Sequence, residues 1–247
     1  MPAAAQAAGG PPVGMLRFLK MAPTELFGLD RQALQALVCG WGQPAYRAEQ
    51  LYSALYAGRI RDPQAITTLP MALRRRLARQ ARITWPLVQK EFASVDGTRR
   101  YLLELADGET IEAVLMPEES RHTICLSTQA GCPLGCRFCL TALLGLKRNL
   151  TAGEIVGQVL LVAEQNGLEL GEGARRPANL VFMGMGEPLL NYEAVMAAVR
   201  LLADPRGTGI STRRMTLSSA GIVPRMADLG REPVRPRLAV SLNATTD

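Results

Sequence analysis

Apolar residues along this chain change their spacing twice. From residue 24 to about 85 they recur at helical intervals. Asp30 is placed to cap a helix running from Arg31 through Leu34, Leu37 and Val38 and stopped by Gly40 and Gly42. A second helix near Pro44 sets Leu51, Tyr52 and Leu55 on one face and ends at Gly58. A third, near Pro70, sets Met71, Leu73 and Leu77 against the arginines of 74–79. From 86 to 117 the period shortens to two. Tyr101–Leu105, a turn at Asp107 and Gly108, and Thr110–Met116 predict a hairpin closed by Pro117.

Beyond residue 122 short strand-like runs alternate with helical ones. Strands are expected at Thr123–Ser127, Asn179–Met183, Met215–Ser218 and Leu238–Leu242. Helices are expected from Thr151, over about Tyr192–Leu202 and near Val223–Leu229. Thr151 and Glu154 have the spacing of a capping box. Such alternation predicts right-handed βαβ units on a parallel sheet, with the site on the loops after the strands. The expected organisation is a flexible tail over 1–23, a helical domain over 24–85, a hairpin linker over 86–117 and an α/β domain over 118–247. A parallel sheet ending at Asp247 would leave an apolar edge, so a C-terminally truncated chain is expected.

Composition adds bounds. The chain has 247 residues, 48% hydrophobic and 20% charged, an ordinary globular profile. No run of apolar residues has the length of a membrane span, and the first dozen residues lack the pattern of a secretory signal. A cytoplasmic location is expected, since crowded cysteines suit a reducing compartment. Net charge is +6, concentrated between Arg59 and Arg100, where ten Lys and Arg face three acids. A basic segment of that kind fits a nucleic-acid partner or a solvated helix face.

The sharpest chemical signal is a Cys-x3-Cys-x2-Cys run formed by Cys132, Cys136 and Cys139. Three thiolates can hold three corners of a cubane iron–sulfur cluster and leave the fourth iron open to a ligand. The same run could contribute to a zinc site, with Cys125 or His122 as a fourth ligand. After the second predicted strand come Gly184, Met185, Gly186, Glu187 and Pro188, where glycines let backbone approach a ligand and Glu187 can accept from an ammonium group. Ser218, Ser241, Leu242 and Asn243 stand at the ends of the third and fourth strands.

A cysteine triad in the first βα loop resembles the radical S-adenosylmethionine (SAM) superfamily. The wider pattern is similar to the radical SAM adenine-C2 methyltransferases of 23S ribosomal RNA and transfer RNA. It includes Tyr46–Gln50, Asp96–Thr98, Ile111–Glu118, Cys125–Cys132, Arg148–Leu150, Glu154–Gln158, Met183–Asn191 and Thr216–Ser218. That resemblance implies a partial (β/α)6 barrel, here its first four βα units, behind a small helical RNA-binding domain. It implies a [4Fe–4S] cluster on Cys132, Cys136 and Cys139, with SAM on the open iron. Phe138 would pack beside the adenine of SAM, and Gly186, Glu187, Ser218, Ser241, Leu242 and Asn243 would hold the rest of it.

The family reaction implied is a two-stage methyl exchange through a methylated cysteine near the C-terminus. Cys125 matches the second cysteine, which releases the product with formation of a disulfide. Glu112 matches the acceptor of the proton from C2. Two departures stand out. Asn243 occupies a position that is His in many members, and no cysteine here matches the methyl carrier. Cys39, in the N-terminal helices, is no substitute, so the chain is expected to bind cluster and SAM without completing transfer. The implied partners are 23S ribosomal RNA, transfer RNA and a low-potential electron donor such as flavodoxin or ferredoxin, with a monomer expected. Methylation at adenine C8, activation of a glycyl-radical enzyme, and a zinc-stabilised RNA-binding protein are the competing readings.

Overall fold

A computed structural model describes residues 23–242 of the chain. The tail predicted over 1–23, Pro23 excepted, and Asn243 lie outside the described residues. The short strand β1 (Thr24–Glu25) leads into helices α1 (Arg31–Gly40), α2 (Tyr46–Tyr56) and α3 (Met71–Gln80), after which β2 (Ala81–Arg82) returns parallel to β1. Each helix forms where its apolar stripe predicts. Asp30 accepts from the Ala33 N–H at 2.8 Å and opens α1, whose Leu34 and Val38 are buried. Leu51, Tyr52, Leu55 and Tyr56 of α2 and Leu73 and Leu77 of α3 complete the packing.

This helical unit is joined to the rest by one continuous core. Phe27 stacks between Tyr56 and Trp85, with ring centroids 5.5 and 5.2 Å away. The Tyr56 hydroxyl accepts from Gly28 N–H at 2.9 Å and donates to the Leu29 carbonyl at 2.8 Å, so burial of the phenol leaves no polar atom unpartnered.

The remaining strands are β3 (Leu87–Ala93), β4 (Arg99–Glu104), β5 (Thr110–Pro117), β6 (His122–Cys125), β7 (Gln129–Gly131), β8 (Leu146–Asn149), β9 (Ala178–Phe182), β10 (Met215–Ser219) and β11 (Arg237–Val240). Between them run α4 (Leu140–Leu143), α5 (Ala152–Gln165), α6 (Tyr192–Ala203) and α7 (Val223–Arg231). The capping box of α5 is formed as its sequence predicts. One seven-stranded sheet has the order β11-β10-β9-β6-β5-β4-β3. Strands β6, β9, β10 and β11 are parallel, and β5, β4 and β3 continue the sheet antiparallel. The four parallel strands are those of the expected partial barrel, with α5, α6 and α7 as their crossovers. The predicted hairpin is β4–β5. It is not separate from the α/β unit, because β5 is hydrogen-bonded to β6 and a third strand, β3, is added to its free edge.

The two sheet faces differ. Ile111, Ala113, Leu115, Ile124, Leu126, Leu180, Phe182, Met215 and Leu217 are buried, as are the apolar stripes of α5 and α6. Burying each of these named side chains other than Ala113 is worth about 1.5–3 kcal/mol. The opposite face is at most half-buried among the described residues. A single row of paired Cα positions crosses it from edge to edge: Phe92, Arg100, Val114, Cys125, Val181, Thr216 and Arg237.

Candidate active site

The polypeptide between β6 and α5 divides into a buried stem and an exposed tip. Residues Leu126–Gly131 are all buried. A polar chain holds them. Gln158 of α5, fully buried, accepts from Ser127 N–H at 2.8 Å and donates to the Ser127 carbonyl at 2.9 Å. The Ser127 hydroxyl donates to the Glu112 carbonyl at 2.6 Å and accepts from Met185 N–H at 2.9 Å. Asn191 donates to the carbonyls of Thr128 and Leu150, both at 2.8 Å. Gln129 accepts from Glu187 N–H at 2.9 Å and donates to Asn149 at 2.8 Å. A two-stranded ribbon, β7 with β8, closes the base of the loop. These polar residues carry no chemistry of their own, and spacing alone did not single them out. The available signals were that they fall in Cys125–Cys132, Arg148–Leu150, Glu154–Gln158 and Met183–Asn191, segments of the family resemblance, and that Ser127, Thr128 and Gln129 form a polar run at a strand end, where buried polar groups need partners.

Beyond the stem, Cys132, Cys136 and Cys139 line a cavity of about 290 Å³. The second βα loop contributes Met183, Gly184, Gly186 and Glu187, and the third and fourth strands contribute Ser218, Ser219 and Ser241. Phe138 lines it too, 72% exposed, so it is no core residue. The Ser218 and Ser241 hydroxyls are 3.1 Å apart. Leu242 is exposed and does not line the cavity. Burial pushes the Cys132 thiol above its ordinary value, with neighbouring Cys136, Cys139 and Glu187 adding to the effect and the Leu134 N–H opposing it.

Glu187 and the glycines of its loop also have packing roles. Glu187 is buried, and its carboxylate already accepts from Leu189 N–H at 3.0 Å and Ala220 N–H at 2.9 Å, tying the second loop to the third. A carboxylate has about four lone-pair positions, so acceptor capacity remains, but the residue is first a loop clamp. The glycines serve loop packing. A Cβ on Gly184 would lie 2.7 Å from the Leu126 carbonyl oxygen, and one on Gly186, at φ +100°, would lie 2.6 Å from Gln129 Cβ.

Cys125 and Glu112 stand beside the cavity on the half-buried sheet face. Cys125 pairs across the sheet with Val114 and Val181, half-buried, and does not line the cavity. Burial raises its thiol pKa, and the N–H groups of Met183 and Leu126 act against that rise. Glu112 is ion-paired with Arg100. The implied disulfide is not formed; all five cysteines are free thiols.

The basic segment is also less open than its sequence suggests. Arg76 lies over Trp41 and donates to the Trp41 carbonyl at 3.2 Å; Arg74 donates to the Gln64 carbonyl at 2.9 Å. Arg61 lies over Trp85 and pairs with Glu164, Arg82 with Glu25 and Arg99 with Glu91. Arg75 and Arg79 are the exposed arginines of α3.

The donor set fits a cluster on chemical grounds. Three thiols facing one cavity can each take a different iron of a cubane. Among the described residues no three His, Cys, Asp or Glu side chains converge tightly enough to hold a single ion.

Comparison with known proteins agrees with this arrangement. A model of the radical SAM superfamily matches residues 126–247, and one of the ribosomal RNA large subunit methyltransferase N-terminal domain matches 24–83. The dual-specificity RNA methyltransferase RlmN of Solidesulfovibrio magneticus is 46% identical over 226 residues, covering 90% of this chain and 63% of that protein. The chain thus carries the two domains, an RlmN-type N-terminal domain and a radical SAM domain, in the order expected of the RlmN family to which it is similar. The family's member from Anaeromyxobacter dehalogenans is 45% identical over 225 residues, covering 90% of this chain and 60% of its own. A crystal structure of a radical SAM methyltransferase from Sphaerobacter thermophilus superposes with a TM-score of 0.81 at 42% identity, covering 90% of this chain and 64% of that one. The chain thus spans less than two thirds of the length of these relatives. Among the described residues no helix is long and apolar enough to cross a membrane.

Proposed function

We propose that this chain supplies the cluster, SAM and RNA sites of an enzyme that methylates C2 of an adenine in 23S ribosomal RNA and in transfer RNA, a reaction that also needs a methyl-carrying cysteine, which none of its five cysteines matches. The observation that carries this reading is the meeting of three cysteines, the Glu187 loop and the strand-end serines at one cavity of a chain similar to the RlmN family. Cys132, Cys136 and Cys139 would hold a [4Fe–4S] cluster, and SAM would occupy the adjoining space. When bound, the cluster supplies a low-potential electron and SAM supplies the methyl group.

The chain's own residues position and exchange. Phe138 presents an exposed ring for the adenine of SAM. Glu187 and Gly186 orient its amino group, and Ser218 and Ser241 offer hydroxyls to ribose or carboxylate. By the family resemblance Leu242 and Asn243 would add contacts to SAM. Glu112 takes the proton from C2 of the target adenine, for which its pair with Arg100 must open. Cys125 rests as a protonated, half-buried thiol and acts as the resolving nucleophile on the same sheet face as Glu112. Exposed Arg75 and Arg79 contact RNA phosphates. A flavodoxin- or ferredoxin-class donor, a cytoplasmic location and a monomeric enzyme complete the proposal.

Anaerobic reconstitution with iron and sulfide should give brown protein holding about four irons, with an electron paramagnetic resonance signal that SAM perturbs. Cys136→Ala should lose the colour and Cys125→Ala keep it. Colourless protein carrying one zinc would overturn the reading. RNA treated with the 247-residue chain alone should stay unmethylated, whereas a chimera completed with the C-terminal part of the Solidesulfovibrio magneticus relative should yield 2-methyladenosine by nucleoside mass spectrometry; 8-methyladenosine would assign the sibling activity instead.

A further inference from the structure

The outermost strand of the sheet carries a surface that the proposed chemistry leaves unused. Every residue of β3 is exposed, on both faces. Phe92 stands on the same side of the sheet as Cys125, 37% exposed. Two cations lie against the ring: Lys90 Nζ is 4.7 Å and the Arg100 guanidinium carbon 4.4 Å from its centroid. Arg100 also pairs with Glu112, whereas Lys90 pairs with no carboxylate among the described residues. An exposed aromatic ring on an edge strand contributes little to a core. Flanked by cations, it has the chemistry that holds an unpaired base, with π-face against π-face and positive charge beside the phosphate.

Position supports the same partner. Phe92, Arg100, Val114 and Cys125 are successive paired positions on β3, β4, β5 and β6. Three strand spacings place the Phe92 backbone about 14 Å from that of Cys125 on the same face. A strand of RNA that presents one base to Cys125 and Glu112 can set a base a few nucleotides away on this ring.

We propose that Phe92, with Lys90 and Arg100, is a stacking platform for an unpaired base flanking the target adenine, with Lys90 taking the adjoining phosphate. Arg100 couples the platform to the site, because its guanidinium touches both the Phe92 ring and the Glu112 carboxylate. This rests on the RNA-methylating reading above and adds a second point of contact to it.

The test is fluorescence anisotropy of the 247-residue chain with a labelled single-stranded RNA of about twelve nucleotides. Phe92→Leu should weaken binding roughly tenfold without moving the melting temperature. Phe92→Trp should keep the affinity, and RNA should quench its emission above the background of Trp41 and Trp85. Lys90→Gln should lower the slope of log affinity against log salt by about 0.7. Wild-type affinity in Phe92→Leu, or an unquenched tryptophan at position 92 in a chain that binds RNA, overturns the platform and leaves the RNA reading standing. Loss of self-association in Phe92→Leu with RNA binding intact would make this face a contact between copies, and also overturns it. Failure of the wild-type chain to bind RNA at all overturns both.

Discussion

The stem and the tip of the cysteine loop are adjacent in sequence and opposite in physical character. Leu126–Gly131 is entirely buried, and its polar groups are tied to α5, β5, β8 and the loops around Glu187 and Asn191. From Cys132 to Leu144 no residue is buried, and Phe138, Leu140 and Leu143 are exposed at 72, 82 and 82%. An unpartnered buried polar group costs about 1–3 kcal/mol, so the stem specifies one arrangement. The tip has no such constraint of its own, and its exposed apolar side chains and thiols are the features of a cradle for something added. A rigid frame and an open cradle divide the work of the site, and the division can be tested by breaking each part separately.

The largest effect should come from the frame. Gln158→Leu strips partners from both backbone groups of Ser127 and should lower the unfolding free energy by about 3 kcal/mol, read by urea denaturation of the cluster-free chain. A loss below about 1 kcal/mol would mean that water or a shifted backbone replaces the side chain. Next, Glu187→Gln leaves one amide N–H, of Leu189 or Ala220, without an acceptor. It should cost about 1–2 kcal/mol. If stability is unchanged while SAM binding is lost, the clamp described above is unimportant and the residue is purely a ligand contact.

A smaller effect belongs to Arg148, which joins the β7–β8 ribbon to its surroundings through Glu154, at 2.8 and 2.9 Å, and Asp107, at 2.5 Å. The hydrogen bond from Arg148 holds the Asp107 carboxyl below its ordinary range. Its contribution is therefore complete above the unfolded-state pKa near about 4 and is lost as pH falls through the lower folded value. Asp107→Asn should remove this part of the acid destabilisation, a few tenths of a kcal/mol at most for so exposed a group. An acid unfolding curve of unchanged steepness would refute it. The smallest effect on stability belongs to the tip. Cys136→Ala should leave the cluster-free chain within about 0.5 kcal/mol of wild type while abolishing iron uptake. A marked loss of stability would show the tip to be part of the frame.

Much of the architecture was legible in the chain. The capped helices, the β4–β5 hairpin and the alternation behind the four parallel strands all follow from period, caps and turn residues. The missing elements were those with weak periodicity. Leu87–Ala93 lies in the stretch read with period two, but it is exposed on both faces and its apolar residues, Leu87, Val88, Phe92 and Ala93, do not themselves alternate, so the sequence alone places no strand there. The β7–β8 ribbon is too short, and too interrupted by glycine, to show a period at all. For the site, the cysteine triad and the strand-end residues were legible because their chemistry is local. The double bond-holding of Glu187, the pairing of Glu112 with Arg100 and the internal engagement of Arg74 and Arg76 depend on residues far away in sequence.

Local order of the chain thus determined which segments are helix or strand and that three thiols lie within one short loop, because caps, turns and side-chain period act over a few residues. Only the tertiary structure decided that the hairpin joins the parallel sheet, that Phe92 and Cys125 share one row of one face, and that Gln129, Gln158 and Asn191 frame the cysteine loop. Those outcomes rest on strand register and on the demand that buried polar groups find partners, and both are settled only when distant segments meet.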